Sequence, residues 1–380
     1  MTTYIYQLPE WPQFYWDYEV LVGQLTSVRH NQGRLVGRME ALGFSLCAEA
    51  VLQTLTLDVL KSSEIEGENL DKDQVRSSIA RRLGMEVAGM VPSDRSVDGV
   101  VEMMLDATQN YDKPLTKERL FGWHAALFPT GYSGMTKVNV GCWRDDEKGL
   151  MQVVSGHIGH EWVHYEAPSA QRLEGEMEEF LAWVNRDSEL DLVLKACIAH
   201  LWFVTIHPFE DGNGRIARAI ADMFLARSEQ SSQRFYSMSA QLRLERDSYY
   251  DMLEETQKGT LDITEALSWF LQCLNRAFDG IEVILDDVLR KTRFWEAYVD
   301  VPLNDRQRLM LNKMLNGFEG KLTSSKWAKI AKCSQDTATR DIKELMNVNV
   351  LMKDSGGGRS TSYSCRAAGG IHGSLRYGKR

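Results

Sequence analysis

The chain has few of the features that mark secreted or membrane proteins. Its six cysteines are widely separated and form no Cys-x-x-Cys pair, which argues against a disulfide framework and favours a reducing compartment. No apolar run approaches the roughly 18 residues of a membrane span, and the opening MTTYIYQLPEW lacks the basic, apolar pattern of a signal peptide. We find no internal repeats. We therefore expect a cytoplasmic protein with no membrane partner.

Length and charge indicate more than one domain. A chain of 380 residues with 43% hydrophobic content can bury two or three compact cores. Residues 301–380 carry 15 Lys and Arg against 6 Asp and Glu, whereas the first 300 residues carry 29 against 47. This asymmetry predicts a separate, basic C-terminal module.

The most informative stretch is HPFEDGNGRIAR, residues 207–218. Apolar residues recur at helical spacing on both sides of it, which predicts a turn between two helices. These residues are Leu194, Ile198, Leu201, Trp202 and Thr205 before the stretch, and Ile216, Ile220, Met223 and Phe224 after it. We expect Phe209 to anchor the turn in the core.

The turn has the composition of an anion-binding site. Gly212 and Gly214 allow backbone N–H groups to approach an anion at the start of the second helix, where unpaired donors favour phosphate. Asn213 adds an amide and tolerates left-handed backbone angles. Arg215 and Arg218 are three positions apart, so both guanidinium groups can face one anion from the same side of the helix.

Two further residues suit a reaction at that anion. Asp211 offers a hard carboxylate oxygen, which Mg2+ takes as a ligand beside substrate phosphates. His207 ends the first helix, and an imidazole with an ordinary pKa of about 6.5 can take a proton from a hydroxyl. The stretch therefore predicts a nucleotide triphosphate site with a base beside it.

The stretch matches every defined position of HxFx(D/E)GNGRxxR, so the chain resembles the Fic domain proteins. The resemblance implies transfer of AMP from ATP to a Ser, Thr or Tyr hydroxyl of a target protein, and possible self-modification. It assigns His207 as the base that deprotonates the hydroxyl. It assigns Asp211 as the residue that holds Mg2+ at the α- and β-phosphates. Pyrophosphate would be the leaving group.

The same resemblance gives the rest of the turn its roles. Gly212, Asn213 and Gly214 would form the anion hole. Arg215 would stabilise the transferring phosphates, and Arg218 would bind the γ-phosphate. Nothing in this turn reads a base, so the sequence leaves the nucleotide open.

A second segment, SSEIEGEN at residues 62–69, resembles the (S/T)xxxE(G/N) inhibitory motif of the same family. Ser62, Glu66 and Gly67 occupy its defined positions, and helical spacing ahead of them predicts that Gly67 terminates a helix. The Glu66 carboxylate could pair with Arg218 where the γ-phosphate belongs, so we expect an autoinhibited enzyme. In some family members this glutamate assists removal of AMP, and both directions stay open. The alternative is that Glu66 and Glu68 are solvated surface charges.

Residues 149–166 predict a β-hairpin, because β-branched and aromatic residues flank two glycines. The hairpin is similar to the Fic flap, whose strand edge would hold a target protein by strand addition. Residues 160–164, HEWVH, also satisfy the HExxH signature of zinc proteases. That signature requires a helix, whereas the period here is near two, so we reject a metalloprotease.

A run downstream, Arg246-x-x-Tyr249-Tyr250, is similar to a Fic segment whose tyrosines line the adenine pocket. Core packing is the alternative for either tyrosine. Residues 141–144 resemble a G-x-x-R element ahead of the flap, and its role stays open.

The C-terminal module has the element order of a winged helix-turn-helix. The pattern predicts helices at 305–315, 324–331 and 335–346, and a hairpin formed by residues 350–353 and 361–364. The third helix, with Arg340 and Lys343, would enter a DNA major groove, and a wing with Arg359 would meet phosphates. The alternative is a module for protein contacts, including a homodimer. We expect Gly369 to Arg380 to be a disordered tail.

The expected fold is mainly α, with a Fic-type helical core, a β-hairpin flap and a C-terminal winged helix-turn-helix domain. The expected divisions are an N-terminal helical region at 1–94, the Fic catalytic core at 95–275, a connecting helix at 276–300, the winged helix-turn-helix domain at 301–365 and a basic tail at 366–380. Two functions compete. The chain is an autoinhibited protein adenylyltransferase, or it is a DNA-binding transcriptional regulator that uses the Fic site as a nucleotide sensor.

Overall fold

The computed structural model describes residues 3–40, 44–85, 90–147, 149–157, 160–315, 317–318, 320–354 and 361–366. Among these residues the secondary structure is mainly helical, with three two-stranded antiparallel sheets, which confirms the expected fold class. The chain divides into two compact units. Residues 1–83 and 92–284 form the first unit, and residues 84–91 and 285–380 form the second.

The first unit contains most of the helices. They are α1 (Tyr18–Glu40), α2 (Phe44–Ile65), α3 (Lys72–Arg82), α4 (Arg95–Gln109), α5 (Lys117–Leu127), α6 (Ala170–Asn185), α7 (Leu192–Ile206), α8 (Asn213–Glu229), α9 (Met238–Leu244), α10 (Arg246–Gln257) and α11 (Thr264–Asp279). Its strands are β1 (Tyr132–Ser133), β2 (Thr136–Lys137), β3 (Gln152–His157) and β4 (His160–Glu166).

Helix α7 forms the centre of this unit. Its sequence is apolar on nearly every side, and all residues from Val193 to Ile206 are buried, as a helix without a polar face requires. Helix α8 packs against it. The residues that join them, 207–212, therefore form a turn between two buried helices, as the periodicity predicts.

Helix α2 brings the segment 62–68 to this turn. Helix α2 packs against α3 and α9 and also contacts α8. Helix α2 ends at Ile65, and Glu66 just after it contacts Arg218 in the first turns of α8. Helix α1 covers α11 on another side of the unit.

Strands β3 and β4 form the predicted flap. They pair in antiparallel register from Gln152 with Glu166 to His157 with His160, with a bulge between Val153 and Val154. The Tyr165 hydroxyl donates a hydrogen bond to the Thr205 carbonyl at 2.6 Å, which ties β4 to the end of α7. The rings of Tyr4 and Tyr6 pack edge-on against Tyr165, so the aromatic N-terminal run supports the flap.

The second unit contains the predicted order of three helices and a hairpin. The elements are α12 (Ile281–Ala297), which crosses the division between the units, and then α13 (Asp305–Leu315), α14 (Ser324–Ile330), α15 (Gln335–Asn347), β5 (Leu351–Lys353) and β6 (Tyr363–Cys365). Phe294 of α12 packs in the same core as Trp327 and Ile342, so the expected connecting helix contributes to this unit. The expected wing tip with Arg359 and the tail at 369–380 lie outside the described residues.

All six cysteines are free thiols. Cys197 and Cys273 lie in the core, where desolvation raises the pKa of both thiols and keeps them protonated. In the part of the chain that the structure describes, no helix is both long enough and apolar enough to cross a membrane.

Candidate active site

The turn at residues 207–212 has an unusual backbone that its own side chains stabilise. His207 follows α7 with φ 53° and ψ 57°, in the left-handed region that non-glycine residues rarely adopt. Asn213 closes the turn, because its Oδ1 accepts from the Phe209 N–H at 2.9 Å and its Nδ2 donates to the Phe209 carbonyl at 2.8 Å. Phe209 is fully buried. Asn213 therefore shapes the predicted anion hole, and its amide is committed to the turn.

Both glycines of the turn are needed for close approach. Gly212 precedes α8 with φ 80°, and a Cβ there would lie 3.1 Å from side-chain carbons of Leu127 and Phe128. A Cβ on Gly214 would lie 2.2 Å from Oε1 of Glu66. Since the first N–H groups of a helix have no partner four residues earlier, the start of α8 presents donors where that carboxylate lies.

Arg218 is held by the segment 62–68. Its side chain is 2% exposed, and its Nη1 lies 2.8 Å from Oε1 of Glu66. Its Nε donates to the Ser62 hydroxyl at 3.0 Å, and its Nη2 donates to the Ser62 carbonyl at 2.9 Å. Burial opposes the charge, but Glu66 and neighbouring tyrosines raise the pKa of Arg218 above its ordinary value. Glu66, the predicted partner, and Ser62, a second residue of the motif, thus meet on one guanidinium group.

Arg215 has a carboxylate of its own. Its side chain is 3% exposed, and its Nη1 donates to Oε2 of Glu68 at 2.6 Å. The guanidinium group stacks over the Phe128 ring at 5.2 Å. Within the described residues, its buried Nε has no hydrogen-bond partner. A buried, unpaired donor on a cation fits a site made for a multivalent anion such as a polyphosphate.

The end of α2 explains how two carboxylates reach two arginines. The Glu68 N–H donates to the Ser63 carbonyl at 3.0 Å, and Gly67 between the glutamates has φ 81°, which reverses the chain as a helix C-cap does. Arg246 of α10 donates to the Ile65 carbonyl at 3.1 Å and so holds the helix end. Gly67 therefore has the terminating position that the sequence predicts.

His207 has the geometry of a base. Its Nδ1 lies 3.2 Å from the Val204 carbonyl, and since a carbonyl accepts only, we assign the proton to Nδ1. Nε2 then carries the lone pair. Burial lowers the pKa of His207 to about 4, and Arg144 contributes to the decrease. The imidazole is thus neutral at ordinary pH and able to accept a proton.

Asp211 is positioned by the hairpin of β1 and β2. Its Oδ2 accepts from the Ser133 hydroxyl, and its Oδ1 accepts from the Gly212 N–H at 2.6 Å. The described residues contain no group of three or more His, Cys, Asp or Glu side chains that could hold a metal ion. A single carboxylate next to an anion site fits Mg2+, which takes few protein ligands and completes its shell with phosphate oxygens and water.

The structure separates the environments of the two tyrosines predicted to line the adenine pocket. Tyr249 is buried, and its hydroxyl lies 2.8 Å from Nε2 of His200. Tyr250 is half-buried, and Arg246 lies over its ring at 5.0 Å. Tyr249 also lines a small cavity of about 20 Å³ together with Arg218. Tyr249 is thus close to Arg218 and packs in the core.

The HExxH residues lie on β4, not on a helix. The His164 ring is occupied, since its Nε2 contacts the Ser155 hydroxyl and its Nδ1 contacts Glu254 of α10, both at 2.6 Å. The side chains of His160 and Glu161 lie outside those described. The helical geometry that a zinc protease requires is therefore missing from this segment.

Several side chains around the turn had no assigned role from the sequence. Glu68 pairs with Arg215, Ser133 with Asp211, and His124 stacks on Phe209 with centroids 4.2 Å apart. Arg144 contacts the His207 carbonyl at 2.8 Å. Glu68 had a local signal, because it is a second acid two positions after Glu66. The others come from distant segments, and no spacing pattern connects them to the turn.

The helical domain contains a glycine-rich turn, a histidine at the start of that turn and a two-stranded hairpin. Residues 114–225 match the model of the Fic/DOC family, so this part of the chain is similar to a Fic/DOC domain. Residues 4–85 match the model of a domain of unknown function, DUF4172. The segment 62–68 lies inside this second match.

Curated relatives match over short segments. A probable protein adenylyltransferase of Aquifex aeolicus is 31% identical over 86 residues, which are 23% of this chain and 24% of that protein. The protein adenylyltransferase Fic of Nematostella vectensis is 32% identical over 115 residues, 30% of this chain and 25% of that protein. The match thus spans about a quarter of each relative.

Solved structures show the same fold at low identity. A Fic family protein from Desulfovibrio desulfuricans superposes with a TM-score of 0.53 at 20% identity, covering 94% of this chain and 99% of that one. A Fic domain containing signaling protein from Bacteroides thetaiotaomicron gives a TM-score of 0.50 at 18% identity, covering 69% and 97%. These two similarities concern the fold alone.

Proposed function

We propose that the protein is an autoinhibited adenylyltransferase that transfers AMP from ATP to a hydroxyl group of a target protein. The observation that carries the proposal is the pairing of both motif arginines with carboxylates of the segment 62–68. Glu66 contacts Arg218 at 2.8 Å, and Glu68 contacts Arg215 at 2.6 Å. Buried guanidinium groups that hold carboxylates can hold phosphates in the same way. Relatives named protein adenylyltransferase support the reaction class.

The reaction follows from the geometry of the turn. His207 Nε2 takes the proton of the target hydroxyl, and the oxygen attacks the α-phosphorus of ATP. A new P–O bond forms as the bond to pyrophosphate breaks. Arg215, Arg218 and the N–H groups at the start of α8 neutralise the charge on the phosphates. Mg2+, held by Asp211, would contribute further charge neutralisation.

Inhibition follows from competition for Arg218. A γ-phosphate can reach this arginine only after the Glu66 carboxylate moves, because both anions need the same donors. ATP bound without that displacement would hold its α-phosphate away from His207. The proposal includes removal of AMP with Glu66 as the assisting group, since its carboxylate lies at the turn.

The flap is proposed to hold the target protein. Trp162 is 67% exposed, and Val154 and Val163 are also exposed on paired strands. Strand addition to this two-stranded sheet would supply main-chain hydrogen bonds, and the apolar side chains would add contact area. Tyr249 and Tyr250 remain our prediction for the base side of the nucleotide.

A nucleotide panel tests the proposal. The wild type and the Glu66→Gly variant are incubated with ATP, GTP, CTP and UTP in the presence of Mg2+ and a cell extract, and the products are analysed by mass spectrometry. We expect AMP adducts on hydroxyl side chains, and most of them when Glu66→Gly is incubated with ATP. We expect no adducts from a double variant that carries both Glu66→Gly and His207→Ala. Adducts that persist without His207, or the absence of any adduct in the Glu66→Gly variant, would contradict it.

The second unit favours a second function, DNA binding. Ser334 caps helix α15, because its hydroxyl accepts from the Thr337 N–H at 3.2 Å. The helix exposes Arg340 and Lys343. The turn before it contains Lys332 with φ 49°. A short helix, a tight turn and a second helix that exposes two cations are typical of a helix that enters a major groove. Binding to random duplex DNA at low salt, measured by fluorescence anisotropy, tests this, and no binding would exclude it.

A further inference from the structure

We propose that Arg144 is a positioning residue for AMP transfer, which fixes the catalytic His207 and the base of the flap relative to each other. The proposal rests on His207 being the base of the proposed reaction. Arg144 lies in the loop before β3, 63 residues from His207 in the chain. Its side chain is 1% exposed, and its hydrogen bonds join the carbonyls of His207 and Pro168 and the carboxylate of Asp146.

The first set of contacts holds the histidine turn. His207 has a left-handed backbone that costs energy for a residue with a Cβ, so the surrounding structure must enforce it. Arg144 Nε donates to the His207 carbonyl at 2.8 Å. The Arg144 backbone N–H donates to the next carbonyl, that of Pro208, at 2.9 Å. One residue thus binds two consecutive carbonyls that have left the helical ladder of α7.

The second set of contacts holds the flap where β4 ends. Arg144 Nη2 donates to the Pro168 carbonyl, two residues after β4. Arg144 Nη1 pairs with Oδ1 of Asp146 at 3.0 Å. The other oxygen of Asp146 accepts from the Ala170 N–H at 2.6 Å and so caps α6, because the Ser169 side chain makes no capping bond. The flap exit, the start of α6 and the histidine turn therefore share one guanidinium group.

Only an arginine meets these demands. The three nitrogens of its planar group donate in fixed directions to the His207 carbonyl, the Pro168 carbonyl and Asp146. A lysine at 144 would keep the positive charge but has one nitrogen on a flexible chain. The distance between the base and the strand edge that holds the target would then vary. Rates of group transfer depend on such distances, since a shift of about 1 Å can cost about 10²-fold.

Arg234 provides a matched control for a merely structural role. Its side chain is 3% exposed and pairs with Asp222 at 2.9 Å, so it is as buried as Arg144. It also donates to the Asp222 carbonyl. These contacts lie within residues 222–234, past the motif turn. Arg234→Lys should therefore perturb stability without changing the position of His207.

The test compares Arg144→Lys and Arg234→Lys, each in the full-length Glu66→Gly protein. We expect Arg144→Lys to lower kcat for AMP transfer by about 10- to 100-fold while KM for ATP changes by less than about threefold. Arg234→Lys should leave kcat within about threefold of the parent, even if its Tm falls as much as the Tm of Arg144→Lys. Equal kcat in both variants, or a loss that lies entirely in KM for ATP, would overturn the proposal.

A second readout does not depend on transfer. In protein labelled with 13C at histidine, the His207 ring signal is identified by its loss in His207→Ala. We expect this signal to shift in Arg144→Lys and to stay in place in Arg234→Lys. An unmoved signal in Arg144→Lys would overturn the role of Arg144. Absence of AMP transfer in the Glu66→Gly parent would instead contradict the proposed function, so the two failures are distinguishable.

Discussion

The start of helix α8 and helix α15 both carry pairs of basic residues three positions apart, and the two pairs differ in burial and in their partners. Arg215 and Arg218 are almost fully buried, and each contacts a carboxylate of the segment 62–68. Arg340 and Lys343 are exposed to solvent. The buried charged residue of α15 is the acid Asp341, which pairs with Arg306 at 2.9 Å.

This difference determines what each pair can do. A buried guanidinium group requires an anion, because leaving it unpaired costs several kcal/mol, about 3 to 5. Arg218 must therefore exchange one anion for another, which makes Glu66 and phosphate alternatives. Exposed cations pair weakly and are screened by salt, so α15 can meet a polyanion without first losing a carboxylate partner. The first region is suited to exchanging one bound anion for another, and the second is suited to binding a polyanion at the protein surface.

The largest expected effect concerns the base of the first region. In a Glu66→Gly background, His207→Ala should lower AMP transfer by about 10²- to 10⁴-fold, the usual contribution of a general base. ATP affinity, measured by calorimetry, should stay the same because the arginines are intact. The double replacement Arg340→Ala with Lys343→Ala serves as control and should transfer AMP at the parental rate. Loss of transfer in the control would remove the distinction between the regions.

The next effect concerns the second region. Replacing Arg340 and Lys343 by alanine should lower the affinity for duplex DNA by about tenfold or more at low salt, and should reduce the slope of log K against log salt by about 2. Fluorescence anisotropy at several salt concentrations measures both values. Arg215→Lys is the control and should leave the slope unchanged. An unchanged slope in the double variant would mean that α15 does not contact phosphates.

A smaller effect is expected from the second carboxylate of the switch. Glu68→Gln keeps the shape of the side chain and removes its charge, so Arg215 becomes available to phosphate. Because Glu68 is partly exposed, its ion pair is worth about 1 kcal/mol, and transfer should rise about fivefold. Glu64→Gln is the matched control, since Glu64 pairs with Lys61 outside the turn. Equal rates for both variants would assign all inhibition to Glu66.

The smallest effect is one of pH on stability. Burial lowers the pKa of His200 to about 4, so the folded state resists a proton that the unfolded state takes at about 6.5. Its contribution is complete above pH 6.5 and declines as the pH falls toward 4, by at most about 1.4 kcal/mol per unit. Urea unfolding at pH 7 and 5.5 should show a smaller loss in His200→Gln than in the wild type. Equal losses would contradict the assignment.

The sequence predicts both regions well where its information is local. Helical periodicity places the turn, and the glycines, Asn213 and the arginines lie within twelve consecutive residues. The short pattern of the segment that begins at Ser62 predicts that Glu66 can pair with Arg218, and the structure places Glu66 against Arg218. The bounds of α13 agree with the prediction at both ends.

What the sequence does not reveal comes from tertiary contacts. Arg144, Ser133 and His124 reach the turn from segments 63 to 85 residues away, and no periodic pattern records such distances. Tyr249 was predicted beside the adenine, and the structure buries it with His200, because burial depends on which helices surround α10. The connecting helix likewise joins the second core because Phe294 packs there.

The central claim is that Glu66 holds an otherwise complete transfer site inactive. The most direct measurement is the rate of label incorporation from α-labelled ATP by the wild type and by Glu66→Gly at equal concentrations. The ion pair of Glu66 with the buried Arg218 is worth about 1.5 to 3 kcal/mol, so the variant should be faster by about 10- to 100-fold. Equal rates in the two proteins would contradict the account.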